Sequence, residues 1–227
     1  MKNFTDIVQY RRAIRKYDQE FDFDPKVVER ALELSTLAPN SSNMQMWEFH
    51  RVRSPEKLEA MKACCLGQNA AKTANELVAF VTTPQKWKQR ADMNAQVIRN
   101  AFASKPNTPE HVFAYYEKDM PFLYAGEGMI EYKGLAGEEG DRLRKEDVRV
   151  ILNKSAALAA MTFMYALSEE GYDSCPMEGY EEDKVKELLG LPKEADVCMV
   201  VSCGKRRPEG VYGPRMRVEL SEVIKEH

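Results

Sequence analysis

The sequence is poor in the residues that build metal sites. Its three histidines, His50, His111 and His227, stand too far apart for any zinc-type spacing. Its five cysteines, Cys64, Cys65, Cys175, Cys198 and Cys203, contain no C-x-x-C. An odd count without regular spacing excludes a disulfide framework and suits a reducing, cytoplasmic setting. No G-x-G-x-x-G follows a strand-like run, so the dinucleotide fingerprint is missing. Gly204-Lys205 lacks the earlier glycine of a P-loop, because Met199 stands there. There is no G-x-S-x-G, no H-E-x-x-H and no kinase signature. An enzyme with this inventory carries its chemistry on an organic cofactor rather than on a nucleophile or a metal.

Long apolar runs are also lacking. The longest, residues 156–167, is broken by Thr162 and is too short to cross a bilayer. The first twelve residues, MKNFTDIVQYRR, lack the apolar stretch of a signal peptide. Neither charge sign dominates. With 33 Lys+Arg against 36 Asp+Glu the net charge is −3, which gives no general pull toward nucleic acid or anionic membranes. Any anion site must therefore be a local cluster of basic side chains.

What is present is a globular pattern. The 227 residues, 44% of them hydrophobic, suit one domain over residues 1–227. Residues 4–12 read as a short amphipathic helix. Asp24-Pro25 opens a second helix as N-cap and first helical residue, and Pro39 closes it. A polar loop, NSSN, leads into a strand over residues 47–52. Ser54-Pro55 starts a helix reaching about Cys65, and residues 77–83 form a continuous apolar, β-rich central strand.

Residues 85–103 read as a helix. The pattern then weakens over residues 104–145, where prolines and glycines alternate with charges and tyrosines. Residues 90–145 are expected to form a lid or excursion, not a second domain. The strongest helix covers residues 145–170 and presents Val148, Leu152, Ser155, Ala159, Thr162, Phe163 and Ala166 on one side, with Gly171 beyond its end. A short helix ends at Gly190, and an apolar strand covers residues 197–203. The tail from Val211 reads as extended, with Arg215 and Arg217 on one face of any strand. Few strands between long helices give an α+β or α/β sandwich around one sheet.

Three segments carry chemistry. Residues 11–15, RRAIR, concentrate fixed cations. Residues 39–47, PNSSNMQMW, concentrate side-chain amides and hydroxyls. Residues 213–217, GPRMR, add two arginines. Arginine suits phosphate through its planar, permanently charged fork, and Asn, Gln and Ser suit the alternating donors and acceptors of a heteroaromatic edge. Singly these segments read as a solvated patch, an ordinary loop and a charged tail.

In this order they say more. RRAIRKYD, APNSSNMQMWEFHRV, GYDSCPMEGY, LLGLP and RMR together resemble the ordered motifs of the nitroreductase-like FMN flavoprotein family, across nearly the whole chain outside residues 90–145. The resemblance implies an α+β, three-layer α-β-α sandwich around a mostly antiparallel sheet, and a homodimer with FMN shared between chains. It assigns Arg11, Arg12, Ala13 and Arg15 to the phosphate, the ribityl chain and the pyrimidine edge, with Arg15 meeting the charge that reduction places there. It assigns Arg215 and Arg217 to the phosphate, and Asn40, Ser41 and Asn43 to contacts from the partner chain. The backbone of Met177, Glu178 and Gly179 would lie near the reactive flavin edge, with Gln68 and Asn69 nearby.

The chain departs from the family pattern at Ala13 and Asn40, where Ser is usual, at Met46, where Pro is usual, and at Gly67 and Ala70, where Asn and Lys are common. The implied activity moves electrons from NADH or NADPH to a small electron-poor acceptor such as a nitroaromatic or quinone, in two half-reactions, and no residue is named as its acid or base. Reductive dehalogenation or other flavin chemistry, a flavin-binding protein without turnover, and a nonflavin anion-binding module are the alternatives. Cys175, beside the flavin loop, and His50, on a strand, read as packing residues. Tyr115, Tyr116, Phe122, Tyr124 and Tyr132 are candidates for an aromatic lid.

Overall fold

The computed structural model describes residues 3–105, 107, 109–120, 129–131 and 142–227. A four-stranded antiparallel sheet, in the order β1-β2-β6-β5, lies at its centre. Its strands are β1 (Trp47–Val52), β2 (Glu76–Thr82), β5 (Asp173–Met177) and β6 (Asp196–Gly204). β2 is buried along its whole length, as its unbroken apolar run predicts. Its side chains divide with the two-residue period of a strand. Leu77, Ala79 and Val81 join one core and Val78 and Phe80 the other.

The first core is roofed by α3 (Pro55–Cys64), α4 (Asn69–Lys72) and α8 (Glu182–Leu189), through Met61, Cys64, Cys65, Ala70, Ala71 and Val185. The second is roofed by α2 (Pro25–Ser35) and α7 (Lys145–Glu169), through Val28, Ala31, Ala159, Ala160, Phe163 and Leu167. Helices on both faces give the expected three layers. α7 is long and apolar enough to span a membrane by length and composition, but it is a core helix of the sandwich.

Local chemistry sets the element ends. α1 (Phe4–Tyr10) opens with a reciprocal capping box between Asn3 and Asp6. The Asp24 carboxylate accepts from the Lys26 N–H ahead of α2. α7 stops in a Schellman turn: Tyr172 N–H donates to Leu167 C=O at 2.8 Å, with Gly171 at φ +76°.

One expectation needs correction. α7 buries more than one stripe, since Ala156, Ala160, Met164 and Leu167 are also inside, while Thr162 turns back to donate to the Leu158 carbonyl. The described tail, read as extended, is irregular except for α9 (Leu220–Val223) and forms no strand, so the conditional shared face of Arg215 and Arg217 does not arise. The excursion is helical in part, as expected, with α5 (Trp87–Phe102), α6 (Glu110–Ala114) and a π-helical turn (Tyr115–Asp119), and it also holds a ribbon of β3 (Met129–Glu131) with β4 (Arg142–Arg144). α5 buries only Ala91 and Asn94.

Candidate active site

The segment after α1 crosses the open edge of β5 and is fastened by its backbone. Ala13 bridges Ser174, Ile14 N–H donates to Ser174 C=O at 3.1 Å, and Arg15 N–H donates to Gly210 C=O at 2.8 Å. Ile14 and Tyr17 anchor it in the first core, each with no exposed surface. The Tyr17 hydroxyl lies 2.8 Å from Ser202 Oγ. Gly210 has no room for a side chain, because a Cβ there would sit 2.3 Å from the Lys16 carbonyl oxygen. With its ends held, this strap leaves Arg11, Arg12 and Arg15 half-buried.

Among the described residues, Arg11, Arg12, Arg15, Arg215 and Arg217 form no ion pair. Arg12 Nη2 donates to Gly213 C=O at 2.8 Å, which ties the strap to the tail. Arg215 Nη2 donates to Gln9 and Arg11 carbonyls at 2.9 and 2.8 Å and closes the C-terminal end of α1. Burial lowers the Arg11 pKa, and the nearby charges of Arg215 and Arg217 push it the same way. The cluster is therefore a set of like charges held close together, which an anion would relieve.

Beside the strap, β5 ends at the buried Met177 and continues through the exposed Glu178 and Gly179. Gln68 Nε2 donates to Gly179 C=O at 2.6 Å, so Gln68 meets this turn, while Asn69 is exposed at the start of α4. Cys175 lies beneath the cluster, and burial pushes its thiol up despite the opposing pull of Arg15 and Arg11. Ser174, the residue before it, faces the other side of the sheet with Cys203, and its Oγ is buried without a hydrogen-bond partner. Away from this site, His50 pairs with Glu48 at 3.2 Å on β1.

The loop of Asn40, Ser41 and Asn43 lies elsewhere. It leads into Trp47, which pairs with Thr82, which in turn pairs with Asp196. Ala13 instead bridges Ser174, which pairs with Cys203 opposite Glu76. These are diagonally opposite corners of the sheet, roughly 25–30 Å apart by strand spacing and rise. One chain thus places Arg11, Arg12, Ala13, Arg15, Arg215 and Arg217 at one corner and the 40–43 loop at the other, while Met177, Glu178 and Gly179, with Gln68 and Asn69, lie further along the β5 edge.

Within that loop Asn40 Oδ1 accepts from Gln45 N–H at 2.8 Å, while Ser41 and Asn43 are exposed. Three non-glycine residues adopt left-handed backbone: Ser42 at φ +53°, Asn43 at +51° and Gln45 at +47°. Asn94, Tyr115 and Tyr116 hold this loop, and the sequence reading did not connect them with it. Of the aromatic lid candidates, Phe122, Tyr124 and Tyr132 lie outside the described residues.

The nitroreductase family model matches residues 8–205. MhqN of Bacillus subtilis (strain 168), provisionally named an NAD(P)H nitroreductase, is 25% identical over 219 residues, covering 94% of this chain and 96% of that protein. The crystal structure of YdfN of Bacillus subtilis, a provisionally named nitroreductase, superposes with a TM-score of 0.78 at 21% identity, covering 99% of this chain and 98% of that one. A provisionally named nitroreductase from Exiguobacterium sibiricum 255-15, solved in complex with FMN, superposes with a TM-score of 0.74 at 23% identity, covering 100% and 98%.

Proposed function

The chain belongs to the nitroreductase family, and from that premise we propose that it is an FMN-dependent oxidoreductase drawing electrons from NADH or NADPH. The observation that carries this reading is the strap. Five guanidiniums gather on the strap and the tail, none of them in an ion pair among the described residues, along the β5 edge that runs on to the exposed Glu178 and Gly179. That donor set fits a phosphate joined to a polar heteroaromatic ring.

In this reading Arg11, Arg12, Arg215 and Arg217 neutralise the phosphate. Arg15 faces the pyrimidine edge, where its fixed charge favours the reduced cofactor. The backbone of Met177, Glu178 and Gly179 orients the reactive edge, and Gln68 holds Gly179 in place while Asn69 lies close by. Bound FMN supplies a ring that accepts hydride from reduced nicotinamide and passes electrons to a nitroaromatic or quinone. Donor and acceptor occupy the same crevice in turn, which predicts parallel double-reciprocal plots.

The corner-to-corner separation supports a homodimer: Asn40, Ser41 and Asn43 reach the strap of a second copy, not their own. Exposed apolar residues on α7 (Val150, Leu158) and along the tail (Met216, Val218, Leu220, Ile224) offer it an apolar contact surface. Residues 1–227 form one domain with an excursion over residues 90–145. The protein acts in the cytoplasm on small molecules, without nucleic acid or membrane partners.

The test is an anaerobic titration of the purified, FMN-loaded protein. NADH or NADPH bleaches the flavin absorbance and a nitroaromatic restores it. A flavin that neither nucleotide bleaches contradicts the enzyme reading, and a protein that takes up no FMN contradicts the site.

A further inference from the structure

The loop of residues 40–46 is held in its left-handed conformation by side chains of the excursion. Ser42 Oγ lies 2.6 Å from the Tyr115 hydroxyl, and the Tyr116 hydroxyl donates to Ser42 C=O at 2.8 Å. Asn94 Nδ2 donates to Asn43 C=O at 2.7 Å, and Asn94 Oδ1 accepts from Asn43 Nδ2 at 3.0 Å. Asn94 is 97% buried, although it is an amide on a charged helix. Beneath these bonds Met44, Met46, Ala91, Met120 and Leu152 form a small core of their own. Arg99 ties α5 to the π-turn by a bidentate pair with Glu117.

Left-handed backbone is unfavourable for residues with a Cβ and persists only where the surroundings impose it. The π-turn is itself an uncommon device, concentrated at functional sites. We propose that Asn94, Tyr115 and Tyr116 are positioning residues that clamp the loop so that Ser41 and Asn43 face the flavin of the partner chain. The proposal rests on the two-chain FMN reading above. The clamp sets how tightly the loop closes on the cofactor, and with that the midpoint potential of the bound flavin.

The experiment compares FMN affinity, midpoint potential and melting temperature of the dimer in five forms: wild type, Asn43→Ala, Tyr115→Phe/Tyr116→Phe, Asn94→Ala, and Ser42→Gly added to the tyrosine pair. Loss of both hydroxyls raises the FMN dissociation constant about tenfold and shifts the midpoint potential, at an almost unchanged melting temperature. Ser42→Gly in that background recovers about threefold of the loss, because glycine adopts positive φ without the clamp.

Asn43→Ala weakening FMN while the tyrosine pair binds normally overturns the clamp and leaves the two-chain reading standing. Unchanged binding in both removes the loop from the flavin and overturns both. FMN loss that tracks a lower melting temperature and that glycine does not rescue reduces the three residues to packing, and also overturns the proposal.

Discussion

Two sets of arginines sit on this fold and are treated in opposite ways. On the sheet, Arg206 lies 2.5 Å from Asp173, whose side chain is 1% exposed, and Arg51 makes a bidentate pair with the 4%-exposed Glu76. On the strap and the tail, Arg11, Arg12, Arg15, Arg215 and Arg217 form no ion pair among the described residues. On the sheet a buried carboxylate is neutralised by a half-buried arginine, because desolvating the charge alone is costly. Arg11, Arg12 and Arg15 are as deeply placed, and Arg215 and Arg217 are exposed, yet the fold supplies them no counter-charge among the described residues, which under the proposed function is the role of the FMN phosphate.

Substitutions should separate the two sets. Asp173→Ala leaves the half-buried Arg206 without its partner and removes an acceptor of the Tyr10 hydroxyl. It should cost about 3–5 kcal/mol, a loss seen as a lower urea midpoint at unchanged slope. Arg11→Ala/Arg15→Ala should leave the melting temperature of the apoprotein the same or higher, since like charges are removed. It should weaken FMN binding about a hundredfold, roughly 3 kcal/mol, measured by recovery of flavin fluorescence. A fall in stability with binding intact would reverse the assignment.

Gly210→Ala lies between the two. It pushes the strap off the tail, costs about 1–3 kcal/mol of stability and loosens FMN through Arg15. Calorimetry and the same fluorescence titration read the two effects.

The smallest effect concerns pH. Burial raises the thiols of Cys65 and Cys198 to about 11, with the charge of Cys64 adding to the first and those of Glu178 and Asp196 to the second. Below the unfolded thiol range, near pH 8.5, both states keep these protons and stability is complete. Above it the unfolded chain releases protons that the folded chain retains, so stability falls up to about pH 11. Denaturant midpoints between pH 8 and 11 should show this decline, and iodoacetamide should label these thiols slowly in the native protein at pH 8.

Legibility in the sequence followed locality. β2, the Asp24-Pro25 start and the Gly190 stop (φ +66°) rest on neighbouring residues, and all are read correctly. The strap arginines were legible because five of the charges lie in two short segments, and the family motifs ordered them. Asp173–Arg206 was not, because no local pattern joins residues 33 apart. Nor was the conformation of residues 42–45, since Ser, Asn and Gln do not announce positive φ as glycine does. The clamp joins Ser42 to residues 73 and 74 positions later, which no spacing rule reaches. The tail reads as extended, and among the described residues it pairs with no strand, so the sequence did not tell which way Arg215 and Arg217 face.

The central claim is that each flavin site takes its arginine strap from one chain and its 40–43 loop from the other. Subunit exchange tests it most directly. Arg11→Ala/Arg15→Ala and Ser41→Ala/Asn43→Ala are each expected to bind FMN poorly alone. Mixed and allowed to exchange, they should restore wild-type affinity at about a quarter of the sites, because each mixed dimer holds one intact crevice. No recovery after demonstrated exchange would place both segments in a single-chain site and contradict the account.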